Sequence, residues 1–344
     1  MSKLNTTEMS RSQKQRRNVL KAIPAIASVL VLPQVKADTD TLRLSRVLMG
    51  TQTDLTLHGA PQRDLQQAAD LALQEMNRLE QMMSRYRSTS VVSVLNLMAG
   101  IRPVEVPEEM MQVLEAAQRV SAMSQGTFDI TVGAYKDWDF DPAHPFLPAP
   151  EVLAQQARWV AYRDLHLDVR NRQAFLTRRG MRIDLGGIAK LPVLQAGMAA
   201  LRKAGVDNAM INGGGDVIAQ GTLRGQPWRI GLRDPRSPER LLGSVSLSQG
   251  VVAASGDYER CFRQNGQLYH HILNPKDGYP AHGPHGLALV SSHPETVNGL
   301  GAAIMVAGLK KGQQWLGGMH GVDAMVVDAD QHIWLSEGMR QRLG

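Results

Sequence analysis

The sequence predicts an α+β fold, in which helices pack on mixed, largely antiparallel sheets within a single large domain. Segments with helical and with strand periodicity are interleaved without the regular strand–helix alternation of a parallel sheet. In addition, the short strand-like segments of 209–289 are separated by turn pairs such as Asp234-Pro235 and Asn265-Gly266, which are typical of antiparallel strands. A chain of 344 residues is long enough to bury the core of such a domain.

The first half of the chain predicts a strand, two amphipathic helices and a loop. Residues 43–57 partly alternate apolar and polar side chains and predict a strand. Apolar residues at helical spacing predict a helix over 64–83. A second helix is expected over 107–124, where Pro107 suits a helix start. Residues 137–150 are rich in Pro, Asp and aromatic residues and predict a surface loop.

The second half predicts mainly short strands with two further helices. In chain order we expect strands over 165–168 and 174–184, a helix over 192–204, the short strands of 209–289, an apolar helix over 294–307 and a closing pair of strands over 324–335.

The positive charge of the chain, formally +6, is concentrated near its start. Residues 1–37 hold seven of the 38 Lys and Arg residues and one of the 32 acidic residues, so 38–344 carry 31 of each sign. A nucleic-acid binder keeps its positive charge on the folded domain, and we therefore exclude that class.

The leader has the anatomy of an export signal. Arg16-Arg17 and Lys21 precede an apolar run over 22–35, and Val35-Lys36-Ala37 supplies small residues for cleavage. The paired arginines resemble the twin-arginine type, with an ordinary secretory signal as the alternative. We therefore expect residues 1–37 to be removed on export and 38–344 to act in the periplasm without a permanent membrane anchor. Cys261 is the single cysteine, so an intramolecular disulfide is impossible.

Two glycine-rich turns carry the groups that suit a phosphate. Residues 184–190 read Asp-Leu-Gly-Gly-Ile-Ala-Lys, and residues 213–216 read Gly-Gly-Gly-Asp. A strand that ends in such a turn and runs into a helix directs backbone N–H groups outward, and Lys190 adds an ammonium. Each turn alone is equally compatible with an ordinary connection. Together they predict a nucleotide-type ligand.

Adjacent histidines near the end of the strand-rich region point to a general base. His270 and His271 lie on opposite faces of a strand, so at most one of them can face a site. We expect His270 to be a solvated strand residue. His271 precedes the Asn274-Pro275 turn and is the better candidate, since an imidazole can accept a hydroxyl proton near neutral pH.

Seven motifs in a fixed order resemble those of the ApbE family, the FAD:protein FMN transferases. They are Met49-Gly50-Thr51, Met83-Ser84-Arg85-Tyr86 with Ser90 and Asn96, residues 126–133, residues 184–190, residues 213–216, Ser255-Gly256-Asp257-Tyr258 and residues 271–280. The likeness extends over nearly the whole mature chain, to Gly321-Val322-Asp323-Ala324. The resemblance therefore implies one ApbE-like domain over 38–344.

This resemblance implies an extracytoplasmic enzyme that binds FAD and needs Mg²⁺. Such an enzyme splits the FAD pyrophosphate, moves FMN onto a Thr or Ser hydroxyl of an acceptor flavoprotein and releases AMP. Phosphoryl transfer requires charge neutralisation, an oriented hydroxyl and a base, which agrees with the motifs. The implied partner is an acceptor with an exposed Thr or Ser, expected to be a membrane-associated respiratory subunit.

The resemblance also implies roles for individual residues. His271 would be the base and Asp257 a second catalytic residue. The FAD-contacting positions would be Met49, Tyr86, Thr127, Phe128, Asp129, Asp184, Lys190, His271 and Leu273. The alternative interpretation makes Met49 and Tyr86 core residues, and Asp129 and Asp216 turn formers.

The implied metal site departs from the family pattern. The carbonyl of Gly187 would contact the metal, but Asn298 and Ala302 stand where that pattern has an Asp and a Thr ligand. An amide oxygen is a weaker ligand for a hard cation than a carboxylate, and alanine offers no side-chain oxygen. Glu295, one turn earlier on the predicted helix, is the candidate substitute from the same face. The predicted metal positions are therefore Gly187, Glu295, Asn298 and Ala302.

Three functions stay open on this evidence. The first is the transferase, supported by Asp184, Lys190 and His271. The second is a periplasmic accessory protein of a respiratory enzyme system that holds or delivers flavin without transferring it, supported by the altered metal positions. The third is an FAD pyrophosphatase that yields free FMN and AMP.

Overall fold

The computed structural model describes residues 40–344, and the predicted export signal over 1–37 lies outside them. In chain order the elements are β1 (Thr41–Leu48), β2 (Thr51–His58), α1 (Gln62–Met83), α2 (Val91–Met98), β3 (Val104–Glu105), α3 (Glu108–Met123), α4 (Pro150–Ala157), a 3₁₀ turn (Tyr162–Asp164), β4 (Leu165–Asp168), β5 (Gln173–Leu176), α5 (Lys190–Lys203), β6 (Asn208–Gly213), β7 (Asp216–Gln220), β8 (Trp228–Asp234), β9 (Ser237–Leu247), β10 (Gln249–Gly256), β11 (Cys261–Gln264), β12 (Gln267–His270), β13 (Gly286–Ser291), α6 (Pro294–Val297), α7 (Leu300–Ala307), α8 (Leu309–Gly317), β14 (Val322–Val327), β15 (Ile333–Leu335) and α9 (Glu337–Arg342).

Eight strands form one antiparallel sheet in the order β1-β2-β6-β7-β10-β13-β14-β15. Smaller sheets are β3-β5-β4 and the hairpins β8-β9 and β11-β12. The described part of the chain from residue 40 onward belongs to one compact unit. The predicted α+β class with largely antiparallel sheets is confirmed.

Both faces of the central strands are buried, because helices cover one face and a hairpin covers the other. On one face, Ile218, Val251 and Leu289 join the large core that includes α1 and α5. On the other face, Val217, Val252 and Val290 pack against the β8-β9 hairpin. The alternation follows from the two-residue period of a strand. It explains why β13 is buried at every position.

The register of the sheet brings several turns to one end of it, which we call the loop end. Leu48 pairs with Thr51, Gly213 with Asp216, and Gly256 with Gly286. Antiparallel neighbours reverse direction at these points, so the β1-β2 turn, the β6-β7 turn and the end of β10 share this edge. Three of the predicted motifs, residues 49–51, 213–216 and 255–258, therefore lie at this end although they are far apart in sequence.

Several predicted elements are confirmed, and three boundaries are wrong. The helices expected over 64–83 and 107–124 are α1 and α3, and 137–150 contains no helix or strand before α4 begins. The predicted strand over 174–184 ends at Leu176. The remaining two differences, over 43–57 and 294–307, concern the site directly.

Residues 43–57 form two strands, β1 and β2, joined by a two-residue turn at Met49-Gly50. Both turn residues have positive φ, +54° for Met49 and +71° for Gly50. Positive φ at both positions suits the twist of a hairpin, but methionine rarely adopts it. The turn therefore left no recognisable signal in the sequence.

The apolar helix expected over 294–307 is broken into α6 and α7. Asn298 is extended, with φ −64° and ψ 120°, and Gly299 is left-handed, with φ +78°. Only glycine adopts that conformation readily, so Gly299 marks the break. No helix within residues 40–344 combines the length and the apolar character needed to cross a bilayer.

Candidate functional site

The loop 184–190 is fixed in place by side chains and backbone from distant parts of the chain. Asn96 of α2 binds both backbone groups of Ile183: its Oδ1 accepts from the Ile183 N–H at 2.7 Å, and its Nδ2 donates to the carbonyl at 3.1 Å. The N–H of Asp184 donates to the Ile130 carbonyl, and Asp184 Oδ1 accepts from the Gly186 N–H. The loop then enters α5 directly at Lys190. A rigid loop that ends at a helix N-terminus is a suitable place for an anionic group.

Asp184 forms an ion pair with Arg85, and Tyr86 lies beside it. Arg85 Nη1 is 2.7 Å from Asp184 Oδ2, and the Arg85 guanidinium lies 4.9 Å from the centre of the Tyr86 ring. The Tyr86 side chain is 65% exposed, so the alternative that Tyr86 is a core residue is wrong. Its phenolic oxygen is 3.3 Å from Arg260 Nη2. An exposed aromatic ring flanked by two guanidinium groups offers a stacking surface for a planar ligand.

Lys190 connects the two glycine-rich turns. Its Nζ is 3.0 Å from Asp216 Oδ2, at the end of the second turn. Asp216 Oδ1 accepts from the Ala254 N–H on β10, and Asn212 Oδ1 accepts from the Gly215 N–H inside the turn. The prediction that the two turns belong to one site therefore agrees with the geometry. Asp216 is an ion-pair partner of Lys190 as well as a turn residue.

His271 lies half-buried near two cations. Its backbone N–H donates to the Arg260 carbonyl at 3.0 Å, and its Nδ1 is buried without a hydrogen-bond partner. Burial, and then the charges of Arg260 and Lys190 with neighbouring His270, lower the pKa of His271 to about 4. The imidazole is therefore neutral at neutral pH and has an unprotonated nitrogen. Lys190 and Arg260 both lie near enough to His271 to lower its pKa.

His270 has a different environment from the one we expected. It is only 5% exposed, with Nε2 3.0 Å from the Ala281 carbonyl and Nδ1 accepting from the Ile272 N–H. These two contacts assign the neutral form with the proton on Nε2, and burial lowers the pKa of His270. The prediction of a solvated strand residue is wrong, because the loop that returns through Ala281 covers this side of β12.

Phe128 joins the two sides of the predicted metal site by packing. A Cβ at Gly187 would lie 3.2 Å from Phe128 Cε2 and 3.6 Å from the Ala302 Cβ. A Cβ at Gly299 would lie 3.4 Å from Phe128 Cζ. The loop 184–190 and the break between α6 and α7 therefore meet across this buried ring. The structure brings Gly187 and Ala302 together, as the resemblance implies.

Glu295 does not share a face with Asn298. The helix α6 ends at Val297, and Asn298 is extended and 9% exposed. The Glu295 side chain is 69% exposed, and its Oε1 lies 3.6 Å from His293 Nδ1. The prediction of a substitute carboxylate on the same helix face is wrong, because the helix breaks before it reaches Asn298.

Asp257, the second predicted catalytic residue, is paired with a histidine that the sequence did not single out. Asp257 Oδ2 is 2.7 Å from His285 Nδ1, and Asp257 is 8% exposed. The Asp257 N–H also donates to the His285 carbonyl, so the pair ties the end of β10 to the start of β13. A catalytic role for Asp257 stays a prediction.

The remaining predicted flavin contacts lie in the walls around the site. Asp129 is a turn former, as the alternative interpretation proposed: Oδ1 accepts from the N–H and hydroxyl of Thr131, and Oδ2 accepts from the Tyr162 N–H. Burial raises the pKa of Asp129, opposed by these hydrogen bonds. The Thr127 hydroxyl donates to the Ser124 carbonyl. Phe128 is 6% exposed and belongs to the core.

Met49 and Leu273 are half-buried, and each packs against a core. Met49 Cε lies 3.5 Å from the position that a Cβ on Gly213 would occupy, so the β1-β2 turn leans on the β6-β7 turn. Leu273 packs against the aromatic cluster of Tyr135, Trp138 and Phe262. Contacts of these residues with a flavin stay predictions.

Sequence reasoning missed the partners of the predicted residues. Arg85 lies in the motif Met83-Ser84-Arg85-Tyr86, but the sequence suggested no role for it. Arg260 and His285 were not predicted as site residues. Arg85 is 99 positions from Asp184, and Arg260 is 174 positions from Tyr86. The position of Arg85 directly before Tyr86 was the one available signal. The site thus combines three cations, a neutral imidazole and an exposed aromatic ring, which suits an aromatic ligand that carries phosphates.

The fold and this site define an antiparallel α+β protein in which Lys190, at the end of the glycine-rich loop 184–190, forms an ion pair with Asp216 at the loop end of the sheet. Residues 49–326 match the model of the ApbE family, and the chain belongs to that family. The resemblance drawn from the ordered motifs is confirmed.

Curated relatives and solved structures agree with this assignment. An FAD:protein FMN transferase of Klebsiella pneumoniae is 30% identical over 310 residues, which cover 89% of this chain and 95% of the relative. One of Treponema pallidum is 29% identical over 285 residues, covering 78% and 79%. The crystal structure of the ApbE protein of Thermotoga maritima matches with a TM-score of 0.80 and 29% identity, over 88% of this chain and 99% of that one. The flavin transferase ApbE of Vibrio cholerae matches with a TM-score of 0.76 and 26% identity, over 88% and 99%.

Proposed function

We propose that this protein is an FAD:protein FMN transferase. The observation that carries the proposal is the grouping around His271 of Arg260, whose carbonyl accepts from the His271 N–H, and Lys190, the last residue of the loop 184–190, in a chain whose relatives bear that name. Two cations and a neutral imidazole around one anion-binding loop are the groups that cleavage of a diphosphate requires. The accessory flavin carrier and the FAD pyrophosphatase are the competing functions.

Binding of FAD rests on charge and on stacking. Lys190 and Arg260 attract the diphosphate, and the first turn of α5 adds backbone N–H groups. Tyr86 offers its exposed ring to one of the planar ring systems of the dinucleotide. Arg85 is held by Asp184, which fixes the guanidinium above the Tyr86 ring.

The chemical step is the transfer of an FMN group to a hydroxyl. The Thr or Ser oxygen of the acceptor attacks the flavin-side phosphorus and forms a new P–O bond. The anhydride P–O bond to the AMP phosphate breaks, and AMP leaves with the bonding electron pair. The hydroxyl proton passes to the unprotonated nitrogen of His271, whose low pKa keeps that nitrogen free at neutral pH. Lys190 and Arg260 stabilise the negative charge that develops on the departing phosphate.

The family resemblance implies Mg²⁺ as well, but the residues present do not fit that ion. Mg²⁺ is bound by oxygen ligands in near-octahedral geometry and usually takes one or two carboxylates. Of the implied ligand positions, Ala302 places a methyl group beside the Gly187 backbone, and Asn298 has an amide in place of a carboxylate. We therefore assign no step to a metal ion.

We also propose that the protein acts in the periplasm on a membrane-associated respiratory flavoprotein. The support is the leader over 1–37, with its paired arginines and apolar run, and the resemblance to extracytoplasmic transferases. A transferase of this kind needs an acceptor with an accessible Thr or Ser. Fractionation of cells that express the full chain tests the location, and retention of uncleaved protein in the cytoplasm would contradict it.

One assay separates the three functions. Purified protein with FAD and Mg²⁺ is incubated with the apo form of a respiratory flavoprotein domain that has an exposed Thr, and AMP, free FMN and covalent flavin fluorescence are measured. Covalent label with stoichiometric AMP supports transfer, whereas AMP with free FMN identifies a pyrophosphatase. Bound flavin with neither product identifies a carrier.

The base is tested in the same assay with His271→Ala. We expect loss of transfer with FAD still bound, because the imidazole takes a proton but is not the main source of positive charge. His282→Ala is the matched control, since His282 is exposed and lies outside the proposed chemistry. Unchanged turnover of His271→Ala would remove the residue from the mechanism.

A further inference from the structure

The position where the family pattern places a metal carries no charged ligand in this chain. The Ala302 methyl lies against the Gly187 backbone, 3.6 Å from where a Gly187 Cβ would be. Asn298 has an amide side chain, and the carboxylate of Glu295 is exposed and lies 3.6 Å from His293 Nδ1. The donor set at this place is therefore one amide oxygen and one backbone carbonyl, which is too few for a hard divalent cation.

The carboxylates around the site are all engaged elsewhere. Asp184 is held by Arg85 at 2.7 Å and Asp216 by Lys190 at 3.0 Å. Asp129 accepts three hydrogen bonds, and Asp257 is paired with His285. Each of these four carboxylates therefore already has a cationic or hydrogen-bonding partner within the protein.

Over residues 40–344, the one place where three His, Cys, Asp or Glu ligand atoms converge is the exposed β14-β15 turn. It consists of Asp328, Asp330 and His332. The Asp328 carboxylate there accepts from the N–H groups of Asp330 and His332, as in an ordinary turn. This turn is separate from the loop 184–190, and we assign it no role.

The protein's own cations supply the charge that a metal would bring. Arg85, Lys190 and Arg260 carry three positive charges, against the two negative charges of Asp184 and Asp216. A divalent ion bound by one carboxylate would add only one net positive charge to this set. Removing the ion together with its carboxylate therefore changes the net charge of the site by one unit. Lys190 and Arg260 both lie close enough to His271 to influence it electrostatically.

We infer that this protein neutralises the FAD diphosphate with Lys190 and Arg260 and works without a bound divalent cation. The inference rests on the proposed transferase function. The bonds made and broken are those of that reaction: the hydroxyl oxygen bonds to the flavin-side phosphorus, and AMP leaves. The charge on the AMP phosphate is met by the ammonium of Lys190 and the guanidinium of Arg260.

The test compares FAD binding and FMN transfer in excess EDTA with the same measurements in Mg²⁺. We expect the dissociation constant and the rate to agree within about twofold, well below the tenfold change that corresponds to 1.4 kcal/mol. Calorimetric titration of the protein with Mg²⁺ alone should show no binding at the site.

Each result decides the matter. Loss of transfer in EDTA with recovery in Mg²⁺ would overturn the inference and leave the transferase intact. Absence of transfer in both conditions would reject the transferase. In that case, FAD affinity still tests whether the site uses a divalent cation. Tighter FAD binding in Mg²⁺ than in EDTA would contradict the inference, and equal affinities would support it.

Two sets of variants sharpen the result. Arg260→Gln should weaken FAD binding about tenfold, whereas Arg263→Gln, an exposed arginine on the following strand, should not. The double variant Asn298→Asp with Ala302→Thr should acquire Mg²⁺ binding in the calorimeter, because it restores a carboxylate and a hydroxyl beside Gly187. A double variant that gains no Mg²⁺ binding would overturn the assignment of these positions as the replaced ligands.

Discussion

The two segments that meet across Phe128 differ sharply in charge. On one side, the loop 184–190 contributes Asp184 and Lys190, each in an ion pair with a residue from another part of the chain. On the other side, residues 298–302 carry no charge, and a Cβ at Gly301 would lie 2.6 Å from the Ser255 hydroxyl. The first side is built for electrostatics and the second for close packing.

This difference shows how the site is prepared for an anion. Asp184 and Asp216 are already compensated by Arg85 and Lys190 before any ligand arrives, and Arg260 adds a further cation beside the Tyr86 hydroxyl. The packed side holds the loop in place but brings no ligand for a cation. We therefore expect binding of the anionic ligand to depend on the charged side, and the position of the loop 184–190 to depend on the packed side. The following changes test that division.

The largest effect is expected from Lys190→Met, which removes the central cation of the charged side. FAD affinity should fall about 10- to 100-fold, because a charge-assisted contact with the diphosphate is worth about 1.5–3 kcal/mol and Asp216 is left unpaired beside the ligand. Quenching of FAD fluorescence measures the change. Lys310→Met, at an exposed lysine of α8, is the control and should leave affinity unchanged. Equal affinities for both variants would show that the diphosphate lies elsewhere.

A smaller effect is expected from Gly187→Ala, which pushes the two segments apart. The new methyl would lie 3.2 Å from the Phe128 ring, so the loop or the ring has to shift. We expect a loss of about 1–2 kcal/mol in the free energy of unfolding, measured by urea denaturation, together with weaker FAD binding.

Gly317→Ala is the matched control for this change. Gly317 lies in α8 with nothing within 4 Å of the new Cβ. Here alanine should stabilise the protein by up to about 1 kcal/mol, since glycine is a poor helix former. A Gly187→Ala protein as stable as the unchanged one would mean that the contact across Phe128 is loose.

The last change concerns the pH dependence of stability. The pKa of His271 falls from its ordinary 6.5 to about 4 on folding, so between these values the unfolded chain binds a proton that the folded protein does not. The free energy of unfolding should therefore decrease as the pH falls from 6.5 towards 4, and the full contribution is present above 6.5.

His271→Gln should flatten that part of the pH profile, measured by urea denaturation at several pH values. His282→Gln should keep the original slope because its side chain is exposed. An identical slope in the His271 variant would show that this imidazole is already solvated enough to titrate normally.

Local sequence patterns were sufficient to predict the long helices, but they did not predict the turns that interrupt two of the expected elements. The helices α1 and α3 follow from the 3.6-residue period, which depends on neighbours in sequence. The turn at Met49 was missed because a methionine with positive φ has no sequence signal. The break at Asn298-Gly299 was missed although Asn-Gly is a turn pair, because the helical spacing of the apolar residues on either side favoured one continuous helix.

The sequence predicted several residues of the site but not the ion pairs between them. Asp184, Lys190 and His271 were identified from motifs, and they converge in the structure. Arg85 as the partner of Asp184, and Asp216 as the partner of Lys190, became visible only with the fold. The exposure of Tyr86 and the burial of His270 likewise depend on which loops cover them.

The sequence by itself determined the class of fold, the family and the positions of the glycine-rich turns, because periodicity, turn chemistry and ordered motifs are properties of neighbouring residues. Only the tertiary structure decided which cation holds which carboxylate, and that the helix of Glu295 ends before Asn298. An ion pair such as Arg85–Asp184 joins residues 99 positions apart. Its formation depends on how the sheet register and the helix packing bring distant segments together, and no local pattern encodes that distance.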